Sequence, residues 1–261
     1  MAIHRAPVTH EDRLTLVEHL DELRHRLLVC VAVFGLALAL CFWQNHILLE
    51  IAAVPLPSDH ERLLTFGVTE PFTTTMTVSA YGAIVISLPI VLYQLYAYIL
   101  PAFGGAERRS VLPFLICAPL LFLAGLAFAF FVVMPAAVGF LLNFNEGQFN
   151  IQVRARDYYS FFSTTMLAAG LVFQLPLAIL AITRLGIVKV EQLSSNRRYA
   201  YLAIAALAAA LPGVDPISML IEMVPLLILY ELSIVLARAF GAPTNPPVPD
   251  DEDRDASPAY L

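Results

Sequence analysis

The sequence predicts an all-α membrane protein with six transmembrane helices and both termini in the cytoplasm. Three observations carry that expectation. Of the 261 residues, 59% are hydrophobic and 14% charged, with a mean hydropathy of +0.75, whereas a soluble domain carries about a quarter charged residues. One core cannot hide such an excess, so lipid must cover much of the surface. Apolar runs of bilayer length recur along the chain, and the positive charges fall unevenly between alternate loops.

The first apolar run, Leu27–Trp43, is charge-free and 17 residues long, just enough to cross at about 1.5 Å per residue. The second, Phe72–Leu100, exceeds a bilayer's need and contains Pro89, so a tilted or kinked helix is expected. Val111–Met134 is the third and Tyr158–Thr183 the fourth, the latter with Gln174 and Pro176 in its middle. The last stretch, Tyr199–Ala237, is interrupted at Leu211-Pro212-Gly213-Val214-Asp215-Pro216. Two prolines and a glycine cannot all continue a helix, so the stretch reads as a hairpin of Tyr199–Leu211 and Ile217–Ala237. The 13 residues of its first arm rise about 20 Å against a hydrocarbon core of about 30 Å. Either Arg197 and Arg198 snorkel or the bilayer is locally thin.

Charge sets the orientation. Twelve of the 15 Lys and Arg residues lie in the N-terminal segment, the second and fourth loops and the C-terminal segment; Arg62, Arg154 and Arg156 occupy the first and third loops. That asymmetry places both termini in the cytoplasm. Residues 1–26 form a cytoplasmic segment whose polar start predicts no secretory signal peptide. Leu16, Leu20, Leu23 and Leu27 recur there at helical spacing, giving an amphipathic helix that runs into the first span. Residues 27–238 form the membrane domain, and residues 239–261, acidic and Pro-rich, are expected to be disordered.

Several chemistries are excluded. All six histidines lie outside the apolar runs, so no buried metal set is expected. The three cysteines lie inside them, so no disulfide framework is implied. There is no nucleophile–base pair, phosphate loop or basic run for a nucleic acid. The expectation is a protein without catalytic residues, metal or cofactor.

Ionisable and amide groups near a membrane invite functional readings. Glu107, before Arg108 and Arg109 in the second loop, either stabilises the dipole of the following helix or presents a carboxylate to a cationic ligand. Glu18, Glu22 and Arg26 stand at i, i+4, i+8, as an intrahelical ion-pair ladder or a second anionic patch at the same surface. Gln174, near mid-bilayer, needs a partner from this chain, water or another protein. Glu222 and Glu231 are nine residues apart, on opposite helical faces, and cannot form one acid–base dyad. Asp215 most simply caps the last helix.

An ordered set of motifs resembles the TatC family, the multispanning core of the twin-arginine protein translocase. The set begins with His19-Leu20-Asp21-Glu22-Leu23-Arg24-His25-Arg26. Pro55, Thr69-Glu70-Pro71-Phe72 and Leu88-Pro89-Ile90-Val91-Leu92-Tyr93-Gln94 follow. Next come Pro101 with Glu107-Arg108-Arg109, Phe130-Phe131-Val132-Val133-Met134-Pro135, Asp215-Pro216-Ile217-Ser218, Pro225 and Tyr230-Glu231. The resemblance covers about residues 14 to 240.

It implies a bowl-like bundle whose last two helices are short, and a translocase subunit in the bacterial cytoplasmic membrane, driven by the proton-motive force and exporting folded proteins. It implies a signal-peptide receptor in which Glu107 matches the main carboxylate, with His19, Glu22, Arg24 and Tyr98 beside it. Paired arginines suit fixed carboxylates, because a guanidinium fork pairs bidentately where lysine offers a point charge. Small single-span TatA/TatB-type subunits are the implied partners, with Gln174 and Glu231 as docking positions for their helices and Pro55 and Asp215 as loop-shaping residues. Two departures stand out. Many relatives carry glutamate where this chain has Gln174, so a role in hydrogen bonding survives and a role for charge does not. The loop before Asp215 reads Leu-Pro-Gly-Val-Asp in place of the commoner Thr-Pro pattern. The rival reading, a proton-coupled small-solute transporter using Glu222, Glu231 and Gln174, lacks an internal repeat and has its acids on opposite faces.

Overall fold

The computed structural model of the chain describes residues 16–57, 63–99, 108–145, 147–148, 151–184, 187–210 and 216–240. Lipid offers the backbone no hydrogen bonds, so an apolar chain must satisfy its amides locally, and helices do this. Helix α1 (Leu16–Trp43) carries the amphipathic segment into the first span without a break. A short α2 (Asn45–Ala53) follows, then α3 (Glu70–Ile99) with Pro89 inside it. The third span is α4 (Arg108–Phe128), a π-helical turn at Ala129–Val133, and α5 (Met134–Asn143). The fourth is α6 (Ala155–Val172) and α7 (Leu175–Arg184); α8 (Val190–Ser195) lies in the loop after it. The last pair is α9 (Arg197–Ala210) and α10 (Pro216–Phe240). Among the described residues no strand forms; an isolated parallel bridge joins Leu64 to Arg154.

Five described stretches are long and apolar enough to cross a bilayer: Leu20–Trp43, Glu70–Tyr98, Ile116–Asn143, Ala155–Arg184 and Pro216–Ala239. The chain is an all-helical membrane protein. Helix α9, at 14 residues, is the short arm anticipated above and is not one of the five, whereas the last helix, expected from the resemblance to be short as well, is not: the apolar run after Pro216 continues unbroken for the 25 residues of α10. The third span differs from its expected end at Met134 by continuing to Asn143. Pro135 falls in the first turn of α5, where its missing N–H is not needed, and the wider π turn ahead of it absorbs the change of register.

Helix α1 packs along α3 through small residues, with Ala37, Cys41 and Ala83 buried between them. Its other face is bare: Leu36 is 75% and Trp43 81% exposed, as suits a helix facing lipid. The centre is a cluster of Leu88 and Leu92 from α3, Phe122 from α4, Leu177 and Leu180 from α7 and Ala237 from α10. Helices α4 and α6 cross where both carry glycine. A Cβ on Gly125 would lie 2.8 Å from the Ala169 carbonyl, and one on Gly170 would overlap the ring of the fully buried Phe122. Small residues let membrane helices approach closely enough for dispersion to hold them.

The rim carrying the first and third loops is tied by polar bonds. Arg154 Nε donates to Glu70 Oε1 at 2.7 Å and its Nη2 to Oε2 at 3.2 Å, while the Phe66 amide donates to the same carboxylate at 2.9 Å. The Glu70 carboxylate beside Arg154 holds the guanidinium pKa above its usual value. Tyr158 donates its hydroxyl to the Ala52 carbonyl at 2.6 Å, fixing α2 over α6. Pro55 sits in the turn that ends α2, after which Leu56 tucks into a cluster with Met134, Val138 and Phe162.

The glycine crossing gives a stability test. Gly170→Ala should destabilise the protein by about 1–3 kcal/mol, the usual cost of overpacking. Gly139→Ala, where a Cβ meets nothing within 4 Å, should be near neutral, and thermal unfolding in detergent separates the two.

Candidate functional site

Two polar sites sit on the bundle, one at the end bearing the second loop and one in its interior. At the first, α1 and α3 run antiparallel and meet through Arg26. Its Nε and Nη2 donate to Glu22 Oε1 at 3.0 and 2.5 Å, and its Nη1 donates to Gln94 Oε1 at 2.9 Å. Glu22 is half-buried, whereas Asp21, Arg24 and His25 are exposed. Tyr98, half-buried, lies one turn beyond Gln94 on the same face of α3, at the level of Glu22 one turn before Arg26. The structure thus brings Glu22 and Tyr98 to one end of the α1–α3 pair, with Arg24 close in sequence.

His19 belongs to α1, but its side chain lies outside the described residues, as do Glu107 and Asp215 entirely. Glu107 immediately precedes α4, and Gln94 lies five residues before the end of α3. The Glu22–Arg26 spacing was legible as an ion-pair ladder, and that pair forms. The Arg26–Gln94 bond was not foreseen; the signal was an amide left at the polar end of an otherwise apolar run.

In the interior, Gln174 stands at the break between α6 and α7 and is buried. Pro176 has no N–H for the Val172 carbonyl, and Leu177 and Ala178 both turn to the Gln174 carbonyl, at 3.1 and 3.0 Å. The side-chain Nε2 donates to the Ala118 carbonyl of α4 at 3.1 Å, while Oε1 is buried with no partner among the described residues. The amide is half satisfied within this chain. Its free end is an acceptor that a donor from another helix can fill.

Glu231 has both oxygens engaged. Oε1 accepts from the Tyr201 hydroxyl at 2.6 Å and Oε2 pairs with Arg197 at 3.0 Å, binding α10 to α9. The Tyr230 hydroxyl donates to the Leu193 carbonyl at 2.9 Å. Glu231 therefore ties α10 to α9 while its side chain stays 37% exposed; of the two docking positions implied by the resemblance, Gln174 is the one with a buried polar atom that has no partner among the described residues. Among the described residues no group of three or more His, Cys, Asp or Glu side chains comes together to hold a metal.

Gln174→Leu should change unfolding free energy by less than about 1 kcal/mol. It removes one hydrogen bond and one orphaned acceptor together, and a chemical or thermal melt in detergent checks the cancellation.

Comparison with known proteins agrees with this arrangement over most of the chain. The family model described as Sec-independent protein translocase protein (TatC) matches residues 18–225. The Sec-independent protein translocase protein TatC of Carboxydothermus hydrogenoformans is 36% identical over 230 residues, covering 87% of this chain and 95% of the relative. That of Escherichia coli K12 is 34% identical over 234 residues, covering 88% and 90%. A crystal structure of the twin-arginine translocase receptor TatC superposes with a TM-score of 0.74 at 31% identity, over 85% of this chain and 99% of that one. Motif order, helical bundle and near full-length similarity converge, and the chain belongs to the TatC family of Sec-independent protein translocase proteins.

Proposed function

We propose that this chain is the twin-arginine signal-peptide receptor and core subunit of a Sec-independent translocase in a bacterial cytoplasmic membrane. Both termini are cytoplasmic, α9 is the fifth and short span of six, and the proton-motive force drives export. The observation that carries the reading is membership of the family over residues 18–225, and the α1–α3 end supplies chemistry that fits it. Twelve of the 15 positive side chains lie on the side that holds Glu22 and Glu107, which orients that end to the cytoplasm.

The receptor chemistry follows from what Glu22 already does. Its carboxylate holds one guanidinium, that of Arg26, in a partly buried i,i+4 pair. An incoming arginine can take the place of Arg26 on Glu22, because Arg26 keeps Gln94 as a second acceptor. Glu107 supplies the second carboxylate for the second arginine. A pair of guanidiniums then makes charge-assisted, bidentate bonds that a pair of ammonium groups cannot reproduce. The role of the chain is binding and gating, without catalysis. Small single-span subunits of the TatA/TatB type are the partners, and the free Oε1 of Gln174 is the docking atom for a donor on one of their helices.

The decisive experiment is site-specific photocrosslinking of a radiolabelled signal peptide to the chain in membranes, comparing Arg-Arg with Lys-Lys. Crosslinks near Glu107 that vanish with Lys-Lys are expected; equal labelling overturns the receptor reading. Glu107→Ala should abolish Arg-Arg binding while Glu222→Gln leaves it intact. In the same membranes Gln174→Leu should reduce co-purification of the small subunit without loss of signal binding, and unchanged recovery would count against the docking role.

A further inference from the structure

At the rim of the first and third loops the Glu70–Arg154 clamp borders a cavity of about 490 Å³ between the start of α3 and the start of α6. It reaches from Glu70 to Thr77, seven residues or about 10 Å along the helix, which is deeper than a headgroup layer on one side of a bilayer. A polar wall at that depth is expensive unless something polar fills it.

Three features define what fits. The guanidinium of Arg154 is committed to Glu70, whereas Arg156 lines the cavity, is exposed, and has no ion-pair partner among the described residues. Among the described residues that line the cavity, two cations therefore stand against one carboxylate. The N-terminus of α6 carries Asp157 in its first turn but has no side-chain cap hydrogen bond, so its first amides can still take an acceptor. The third feature is independent of charge. Thr74 lines the cavity, is 6% exposed, and its hydroxyl is buried with no partner among the described residues. The neighbouring hydroxyls of Thr73 and Thr77 are already donated to backbone carbonyls, so Thr74 is the donor left over. An unmet buried donor costs free energy unless a ligand meets it.

Beside this wall the surface of α3 turns apolar, with Phe72 and Met76 exposed one residue before Thr73 and Thr77. A molecule that is an anion at one end and hydrocarbon at the other satisfies both surfaces. We infer that this cavity binds the phosphate of a phospholipid headgroup in the leaflet bounded by the first and third loops. That leaflet is the outer one in the orientation proposed above, and only its name depends on that proposal. Arg156 and Thr74 hold the phosphate oxygens, and the acyl chains lie along Phe72 and Met76.

Native mass spectrometry of the full chain in detergent with added phosphatidylglycerol tests the site. The wild type should retain one lipid tightly. Arg156→Gln should weaken retention about tenfold, the scale of one lost charged hydrogen bond, and Thr74→Val severalfold. Neither variant threatens folding, since one side chain is exposed and the other's hydroxyl is unpartnered; unchanged melting temperatures would show this. Arg198→Gln, an exposed arginine at the other end, should retain lipid as the wild type does. Retention unaffected by Arg156→Gln, or equal loss in Arg198→Gln, overturns the site. Displacement of the lipid by soluble glycerophosphoglycerol at equal concentration overturns a lipid as its occupant.

Discussion

The constraint on which the structure depends is that a backbone surrounded by hydrocarbon has nobody to bond with but itself. This chain meets it with helices and then repeatedly breaks the rule with proline. Each break is resolved by a different neighbour. Pro135 is placed in the first turn of α5 behind a π-helical turn, so the helix continues with a shift of register. Pro176 ends α6 and starts α7, and the Gln174 carbonyl takes both following amides. Pro89 and Pro225 stay inside α3 and α10.

Because the helices satisfy themselves, they have little reason to stick together in lipid, where burying apolar surface has no solvent to drive it. Association falls to close contact and to a few polar ties. The Gly125–Gly170 crossing supplies the contact. The ties sit mainly at helix ends: Glu70 with Arg154, Tyr158 with the Ala52 carbonyl, Arg26 with Gln94, and Glu231 with Tyr201 and Arg197. Each joins elements distant in sequence. They fix the relative rotation of helices whose apolar faces would otherwise pack in many ways, and so they position the candidate receptor surface.

Much of this was legible in the residues, for an identifiable reason. Span length is a one-dimensional property, and a bilayer reads it directly; five of the six expected runs overlap helices long enough to cross, and the short one is α9. The Glu22–Arg26 ladder was likewise local. What stayed hidden was pairing at a distance. No periodicity ties Glu70 to an arginine in the third loop, or Arg26 to a glutamine in the middle of the sequence. Helix α2 was also missed, because nine residues in a loop look no different from an irregular apolar stretch until Tyr158 and Leu56 hold them down. The expectation for Glu231 as a docking group came with the resemblance, and nothing local in the sequence shows that its two oxygens also bond α9.

Gln174 shows how a departure from a family pattern can be read as physics. The side chain donates to the Ala118 carbonyl, an acceptor that already serves the α4 ladder with its other lone pair. A carboxylate at this position would face that carbonyl as a second acceptor, and it could match the bond only as a neutral acid. Glutamine makes the same bond at every pH. The chain thus holds permanently the geometry that a glutamate would reach only on protonation, and among the described residues its Oε1 meets no partner. A partner helix offering a hydroxyl, amide or protonated acid meets that acceptor without any change of charge. Whatever energises translocation in this chain therefore acts elsewhere than by titrating the mid-membrane position.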